Sequence, residues 1–497
     1  MNLKYTAEHP ANCDADSLVI FTTEYEKISD KTLRELNVTS GGAVETLLDS
    51  GQFKGREGQI ATIMHPAGYS TKRAILVGIG DHRKVDADSY RRASGRLSKD
   101  PGLKNSSSAS FYFGKAEDAT FYQGAIEGYI LGGFKQREFK TGDNAEDDSK
   151  LKTVNFVIDN KRLLKRLEKA VTRGRIMAEG QCLVRRLANT PSNHLTPAKL
   201  ATLAKKLAKA NGLECTILDQ KKIEAQKMGA VLSVAKGSVE PPKFIILKYS
   251  GGHPGQKPVV LVGKGVTFDA GGISLKPPLL MHEMRGDMAG AATVLAAIVA
   301  AAQLELRLNV VALMPAVENL PSGTATKPGD VITSRKGLTI EVINTDAEGR
   351  LILADGLDFA NTFEPQAVLD IATLTGAAQY ILGYAGAPVL GNNDKLLQRV
   401  INASVATAEP VWELPIWDYH RDQMKSSLAD MVNSAGKYAG TITATVFLEK
   451  FVGDWPWVHI DIASVDQEPK GRPYMPKGTT GFGLRLMVEL LSNWKKL

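Results

Sequence analysis

The feature that most constrains the fold is the alternation of short Val/Ile/Leu-rich runs with helical patterns after Thr196. Near-continuous apolar runs of this kind predict strands that are buried on both faces, and helices between such strands predict a largely parallel sheet covered by helices. In these sheets ligands bind beyond the carboxyl ends of the strands. The main predicted strands are Lys243–Tyr249, Val259–Val262, Leu308–Met314, Leu338–Ile343, Ala367–Ile371 and Trp457–Ile462.

The length predicts two domains, because 497 residues exceed the size at which one hydrophobic core stops growing. Residues 1–158 alternate short strand-like runs with helical patterns, so we expect a smaller N-terminal α/β domain. Residues 159–190 form the predicted linker helix, and residues 191–497 form the larger C-terminal α/β domain with the central sheet. The fold class is therefore α/β with two domains.

Composition and cysteine use point to the cytoplasm. The formal net charge of +7 is mild for this length and does not by itself indicate nucleic-acid binding. Cys13, Cys182 and Cys215 are far apart and have no metal-ligand spacing, which is typical of a reducing compartment. The start of the chain lacks the apolar core of a secretory signal. The alanine-rich run Met288–Ala302 is too short to span a bilayer and predicts a core helix, so no membrane partner is expected.

The predicted helix Lys161–Ala188 is strongly basic at its start. A solvated helix that joins two domains explains this charge. A surface for DNA or another polyanion explains it as well, and both interpretations stay open here.

The first polar cluster is Asn344–Leu351, which reads NTDAEGRL and lies between a β-branched run and a helical pattern. Asp346 and Glu348 are two residues apart, so in an extended or turning backbone their oxygens can converge on one cation. Arg350 has five fixed donors and suits a second anion nearby. The alternative is a surface turn in which Asp346 caps the following helix.

The second cluster follows the strand Val259–Val262 in a glycine-rich loop that contains Lys264, Asp269 and Lys276. It is not a phosphate-binding loop of the Walker type, because the Gly-x-x-x-x-Gly-Lys-Ser/Thr order is missing. Asp287 lies just before the alanine-rich helix, where it could be a helix cap or a further ligand.

Together the two clusters bring three aspartates, one glutamate and two lysines to one edge of the predicted sheet. Carboxylates crowded in this way repel one another unless cations separate them. Two divalent ions about 3.5–4 Å apart can bind there, hold a bridging hydroxide and polarise a carbonyl. Neither a His-Glu-x-x-His motif nor a Gly-x-Ser-x-Gly elbow occurs, so thermolysin-like and α/β-hydrolase sites lack their signatures.

These residues resemble the leucyl aminopeptidase (cytosol aminopeptidase) family of two-metal exopeptidases. NTDAEGRL at Asn344–Leu351 matches that family's signature, and Val262–Pro277 matches its preceding block. The resemblance covers roughly residues 187–491, whereas the N-terminal third is similar only in layout. It implies a metal-dependent aminopeptidase that releases leucine and similar apolar residues from the N-termini of peptides. It also implies a homohexamer, and some bacterial relatives bind DNA.

The same resemblance implies a role for each site residue. Asp269 and Glu348 would bridge two zinc or manganese ions, Asp346 would bind one ion, and Lys264 and Asp287 would bind the other. Lys276 would stabilise the oxyanion of the tetrahedral intermediate. Arg350 would hold a bicarbonate ion that acts as general base. The residues that would line the specificity pocket are Met284, Thr373, Leu374 and Gly376.

Two positions depart from the common pattern of that family. Gly286 stands where a larger residue often precedes the metal-binding aspartate, and Ala289 stands where glycine is usual. Neither change removes a ligand, but both could alter the entry to the alanine-rich helix and the pocket.

Overall fold

The computed structural model describes residues 1–25, 28, 30–114, 116, 118–142 and 149–496. The chain forms two compact units. The N-terminal unit comprises Met1–Glu179 and Lys470–Pro476, and the C-terminal unit comprises Gly180–Pro469 and Lys477–Leu497. The predicted fold class, two α/β domains with the larger one at the carboxyl end, is confirmed.

The N-terminal unit is built on a six-stranded sheet in the order β1-β6-β5-β2-β4-β3, and only β3 runs antiparallel to its neighbour. Its first strand was not predicted from the sequence. The strands are β1 (Asn2–Ala7), β2 (Ser17–Thr22), β3 (Ile60–Met64), β4 (Arg73–Gly78), β5 (Ser108–Tyr112) and β6 (Thr153–Ile158). The helices are α1 (Lys31–Thr39), α2 (Ala43–Asp49), α3 (Ala87–Leu97), α4 (Pro101–Lys104) and α5 (Ala119–Gly132).

Close packing of α3 on α5 depends on glycines spaced four residues apart. A Cβ atom at Gly124 would lie 2.2 Å from the Ala87 carbonyl oxygen, and one at Gly128 would lie 2.1 Å from that of Arg91. The helix backbones therefore touch directly. The buried Arg91 guanidinium pairs with Glu127 of α5 at 2.5 Å, which satisfies both charges.

Helix α6 (Leu164–Asn189) corresponds to the predicted linker helix, and its last ten residues belong to the C-terminal unit. The basic residues at its start lie on an exposed face, whereas Leu167 and Ala170 are buried. The exposed basic residues are Lys161, Arg162, Lys165, Arg166 and Lys169.

The C-terminal unit contains a nine-stranded mixed sheet in which the central neighbours β18, β14, β9 and β11 are all parallel. The strands of this unit are β7 (Glu214–Leu218), β8 (Lys243–Ser250), β9 (Val259–Gly263), β10 (Gly265–Asp269), β11 (Asn309–Asn319), β12 (Asp330–Thr333), β13 (Thr339–Val342), β14 (Ala367–Ala372), β15 (Ala387–Gly391), β16 (Val411–Glu413), β17 (Met431–Val432), β18 (Trp457–Asp461), β19 (Gln467–Glu468) and β20 (Gly478–Thr479). The helices are α7 (Pro197–Ala210), α8 (Gln220–Ala225), α9 (Gly229–Ala235), α10 (Ala289–Gln303), α11 (Glu348–Ala360), α12 (Ala377–Leu382), α13 (Asp394–Thr407), α14 (Asp418–Asp422), α15 (Gly440–Val452) and α16 (Leu484–Ser492).

Helix α10 is the core helix that the alanine-rich run predicted. The stretch Met281–Gln303 is long and apolar enough to cross a membrane, but 89% of its most apolar window is buried inside the protein. The helix approaches the sheet very closely, because a Cβ atom at Gly290 would lie 2.2 Å from the Ile371 carbonyl oxygen of β14.

Two features differ from the sequence prediction. The run Leu338–Ile343 was assigned to the central sheet, but β13 lies in a separate three-stranded sheet with β12 and β17. Part of the glycine-rich loop after β9 is also a strand, because Gly265–Asp269 pairs in parallel with the end of β11. Neither difference was visible from periodicity, since strand partners are set by contacts between distant segments.

Candidate metal centre

The glycine-rich segment after β9 carries charged residues directly before strand β10 and at its end. Lys264 lies between β9 and β10, and its backbone is fixed on both sides. Its amide donates to the Ile371 carbonyl at 3.2 Å, and its carbonyl accepts from the Ala291 amide at 2.8 Å. Strand β10 then ends at Asp269, which lies opposite Asn319 in the parallel register with β11.

The segment Asn344–Leu351 connects β13 of the three-stranded sheet to α11. After β13 the chain turns at Asn344, and α11 begins at Glu348. The Asn433 side chain holds this turn, because its oxygen accepts from the Ile343 amide at 2.9 Å and its amide donates to the Asn344 carbonyl at 2.7 Å. The helix cap residue is Ala347, so Asp346 does not cap the helix and the capping alternative is wrong.

The two segments meet at three carboxylates. Oxygens of Asp269, Asp346 and Glu348 lie within 4.8 Å of one another. Thr345 joins the segments, because its hydroxyl donates to the Gly271 carbonyl at 2.7 Å and accepts from the Ser274 amide at 2.8 Å. Asp269 and Glu348 are therefore close enough to bind one ion together.

Lys264 links these carboxylates to Asp287. Its Nζ lies 2.7 Å from Asp287 Oδ1, 2.8 Å from Glu348 Oε1 and 2.8 Å from the Thr373 carbonyl oxygen. Helix α10 begins at Ala289 with Met288 as its cap residue, so Asp287 does not cap it. Its side chain instead faces Lys264 and accepts from the Thr373 hydroxyl at 2.7 Å.

Lys276 lies on the other side of the carboxylates. Its Nζ is 2.8 Å from Asp269 Oδ2 and 2.5 Å from Asp346 Oδ1. The side chain is 21% exposed, compared with 3% for Lys264, so Lys276 is the lysine at the solvent side of the cluster.

Burial and neighbouring charges shift the pKa values of these acids. Burial raises the pKa of Asp346 to about 6, and it raises the pKa of Asp269 and of Asp287 as well. Burial also acts on Glu348, but Lys264 and Lys276 outweigh it and lower the Glu348 pKa. Burial alone would lower the pKa of Lys264, yet Asp287, Glu348 and Asp269 raise it and so favour the charged form of this lysine in the absence of metal.

Arg350 is a buried residue in the first turn of α11, two residues after Glu348. Its Nη1 donates to the Asn433 carbonyl at 2.8 Å, while its buried Nε has no acceptor among the residues that the structure describes. Burial lowers the pKa of Arg350 to about 10, and Glu348 and Asp461 oppose this shift. A buried guanidinium with a free donor suits a small anion.

The predicted pocket residues lie on two segments. Met284 is in the 3-10 helix Met281–Gly286, directly before Asp287. Thr373 is buried against Lys264 and Asp287, and Leu374 and Gly376 follow it in the loop after β14. The Asp461 carboxylate holds this loop by accepting from the Leu374 amide at 3.1 Å.

Sequence reasoning missed the residues that orient the ligands. The Asn319 amide donates to Asp269 Oδ1 at 2.8 Å and to the Thr345 carbonyl at 3.0 Å, so it ties both segments together. In a similar way, Asn433 holds the turn at Asn344, and Asp461 holds the loop after β14. Isolated asparagines and aspartates at strand ends carry no pattern of their own, and only the register of β10 with β11 indicates Asn319.

The donor set fits divalent cations. Asp287 Oδ2 and Glu348 Oε2 are buried oxygens without a hydrogen-bond donor among the described residues, and a buried carboxylate oxygen in this situation is costly unless a cation or a donor satisfies it. Oxygen ligands with one amine suit a borderline ion such as zinc or manganese. Asp346, Asp269, Glu348, Asp287 and Lys264 are the residues that could hold such ions.

Comparison with known proteins gives a consistent result. Residues 182–488 match the catalytic-domain model of the cytosol aminopeptidase family, and residues 19–143 match the N-terminal-domain model of the same family. A probable cytosol aminopeptidase from Syntrophotalea carbinolica is 44% identical over 463 residues, which cover 92% of this chain and 93% of that protein. Another from Geobacter sulfurreducens is 41% identical and covers 96% of each chain.

Among solved structures, the bottromycin maturation enzyme BotP in complex with Mn superposes with a TM-score of 0.83. It is 32% identical and covers 96% of this chain and 99% of its own. The similarity therefore extends over both units.

We predict that Asn319→Asp destabilises the metal-free protein. The new carboxylate would take the place of an amide 2.8 Å from Asp269 Oδ1, so the free energy of unfolding should fall by about 1–3 kcal/mol at pH 8. The loss should be smaller at pH 5, because one proton can then lie between the two acids. Denaturant titrations in a chelator measure it, with the exposed Asn402→Asp as the matched control. Equal stability of both variants at pH 8 would contradict this role.

Proposed function

The chain belongs to the cytosol aminopeptidase family, and we propose that it releases N-terminal residues, leucine and similar apolar ones first, from peptides with two bound divalent ions. The observation that carries the proposal is the convergence of Asp269, Asp346 and Glu348 oxygens within 4.8 Å, with Lys264 and Asp287 adjoining.

The residues that would hold the ions divide into two sets. Asp269 and Glu348 would contribute to both ions, Asp346 to one, and Lys264 with Asp287 to the other. When bound, zinc or manganese ions activate a water and polarise the scissile carbonyl. Lys264 enters this set only as a neutral amine, so its proton must leave when an ion binds. The neighbouring BotP structure is described as a complex with Mn.

Lys276 and Arg350 are positively charged and can stabilise anions, which the acids cannot do. Lys276 is the cation at the solvent side of the cluster, and we assign it to the oxyanion of the tetrahedral intermediate. Arg350 is buried with an unsatisfied Nε, which supports a bicarbonate ion held there as general base. Met284, Thr373, Leu374 and Gly376 would contact the side chain of the N-terminal residue.

Cys13 and Cys215 are free thiols, and the curated relatives are named cytosol aminopeptidases, so we also propose that the protein acts in the cytoplasm.

The activity is tested with leucyl 4-nitroanilide. We expect hydrolysis that a chelator abolishes and that manganese or zinc restores. Glu348→Ala should lose it in either metal, because Glu348 is shared between the proposed ion positions. Lys276→Ala should lower kcat by about 10²–10³-fold, the usual cost of one missing oxyanion donor.

A thermal-unfolding measurement and a control variant complete this test. Adding manganese should raise the unfolding temperature of the parent but not of Glu348→Ala, because ligand bound to the folded state stabilises it by about 2.7 kcal/mol at 100 times Kd. The exposed acid variant Glu214→Gln should behave like the parent. Turnover that persists in a metal-stripped enzyme would refute the proposal.

We further propose a homohexamer. Large apolar side chains of the C-terminal unit are highly exposed in the single chain, among them Leu279 at 82%, Tyr380 at 95% and Tyr438 at 80%. Exposed apolar surface of this kind is typical of subunit interfaces. Light scattering at micromolar concentration should give six times the 53.6 kDa of one chain, and a monomeric mass would refute it.

A second candidate function is DNA binding, and the exposed basic face of α6 is the observation that favours it. Binding through this face should weaken steeply as salt rises, because phosphate contacts release counterions. In mobility-shift experiments the double variant Lys165→Glu and Arg166→Glu should lose affinity while its leucyl anilide hydrolysis remains. Unchanged DNA affinity in the double variant would exclude this surface.

A further inference from the structure

Asp466 is a partly buried acid that the proposed reaction does not use. It lies in the loop after β18, and its backbone is held at both ends. Its amide donates to the Ile462 carbonyl at 2.9 Å, and its carbonyl accepts from the Thr480 amide at 2.8 Å. The backbone position of Asp466 is therefore fixed within the C-terminal unit.

This carboxylate lies beside one of the two segments of the proposed specificity pocket. A Cβ atom at Gly286 would lie 3.9 Å from Asp466 Oδ2, so Asp466 is next to the 3-10 helix that carries Met284. Its charge also interacts with that of Asp461, which binds the Leu374 amide. Because residue 286 is glycine, no side chain covers the carboxylate from this direction.

Asp466 has no cationic partner among the described residues. Its side chain accepts only from the Gln467 amide, at 3.5 Å, and Glu283 adds a second negative charge nearby. Burial raises the pKa of Asp466 to about 7, the Gln467 amide opposes this shift, and the charges of Glu283 and Asp461 add to it. The buried acid Glu127, in contrast, is paired with Arg91. A cation brought next to Asp466 would therefore be stabilised.

We infer that Asp466, with Glu283 beside it, lets the specificity pocket accept cationic side chains, so that peptides beginning with arginine or lysine are substrates alongside those beginning with leucine. The inference rests on the proposed aminopeptidase function and names a further substrate class for that site. Arginine and lysine have apolar stems, which suit Met284 and Leu374, and charged ends, which suit a carboxylate. A pocket without an acid would favour leucine-like residues alone.

The test compares arginyl, lysyl and leucyl 4-nitroanilides on the full-length, metal-loaded enzyme. In the parent we expect all three to be hydrolysed. In Asp466→Asn the ratio of kcat/KM for arginine to kcat/KM for leucine should fall about 10- to 100-fold, mainly through KM, as for the loss of one charge-assisted hydrogen bond. Asp418→Asn, which changes an acid whose side chain is 95% exposed, should keep the parental ratio.

A binding measurement gives a readout that does not depend on turnover. Free L-arginine should raise the unfolding temperature of the parent more than that of Asp466→Asn, whereas L-leucine should shift both proteins similarly. Leucine hydrolysis without arginine or lysine hydrolysis would overturn this inference and leave the proposed function in place. Equal losses for arginine and leucine in Asp466→Asn would assign Asp466 a structural role and also overturn it. Failure to hydrolyse any of the three would refute both.

Discussion

The arrangement depends on one electrostatic constraint, which is the crowding of four acids around two lysines in a largely buried space. Lys264 contacts Asp287 and Glu348, and Lys276 contacts Asp269 and Asp346, so each ammonium group separates two carboxylates that would otherwise repel each other. The lysines hold the acids in place but leave buried oxygens unsatisfied. A site in this state is ready for divalent cations, because their charge can replace the role that the ammonium groups now have.

Such crowding is possible only because backbone contacts position every acid before any cation acts. Strand β10 turns away from β9 to pair with β11, which places Asp269 beside Asn319. Helix α10 lies close enough to the sheet for the Ala291 amide to reach the Lys264 carbonyl, and a side chain at Gly290 would prevent this approach. The two lysines offset part of the cost of burying these acids, and the surrounding backbone contacts hold the acids and lysines together.

The acids of the candidate metal centre and Asp466 are held in different ways. The acids that would bind metal are fixed by lysines, whereas Asp466 is held only through its backbone and one weak contact with Gln467. Residues near this acid can therefore change without loss of a metal ligand. Gly286 illustrates this, since it lies directly before Asp287 and has no side chain between its backbone and the Asp466 carboxylate.

The sequence by itself determined the α/β class, most helices and strands, and the residue types of the reaction centre, because burial periodicity and the NTDAEGRL segment are local patterns. Only the tertiary structure decided that β13 belongs to a separate sheet, that Gly265–Asp269 of the glycine-rich loop form a strand, and that Asp346 and Asp287 face lysines rather than cap helices. It also revealed Asn319 and Asp466. These features arise from contacts between residues far apart in the chain, and such contacts leave no periodic trace in the order of amino acids.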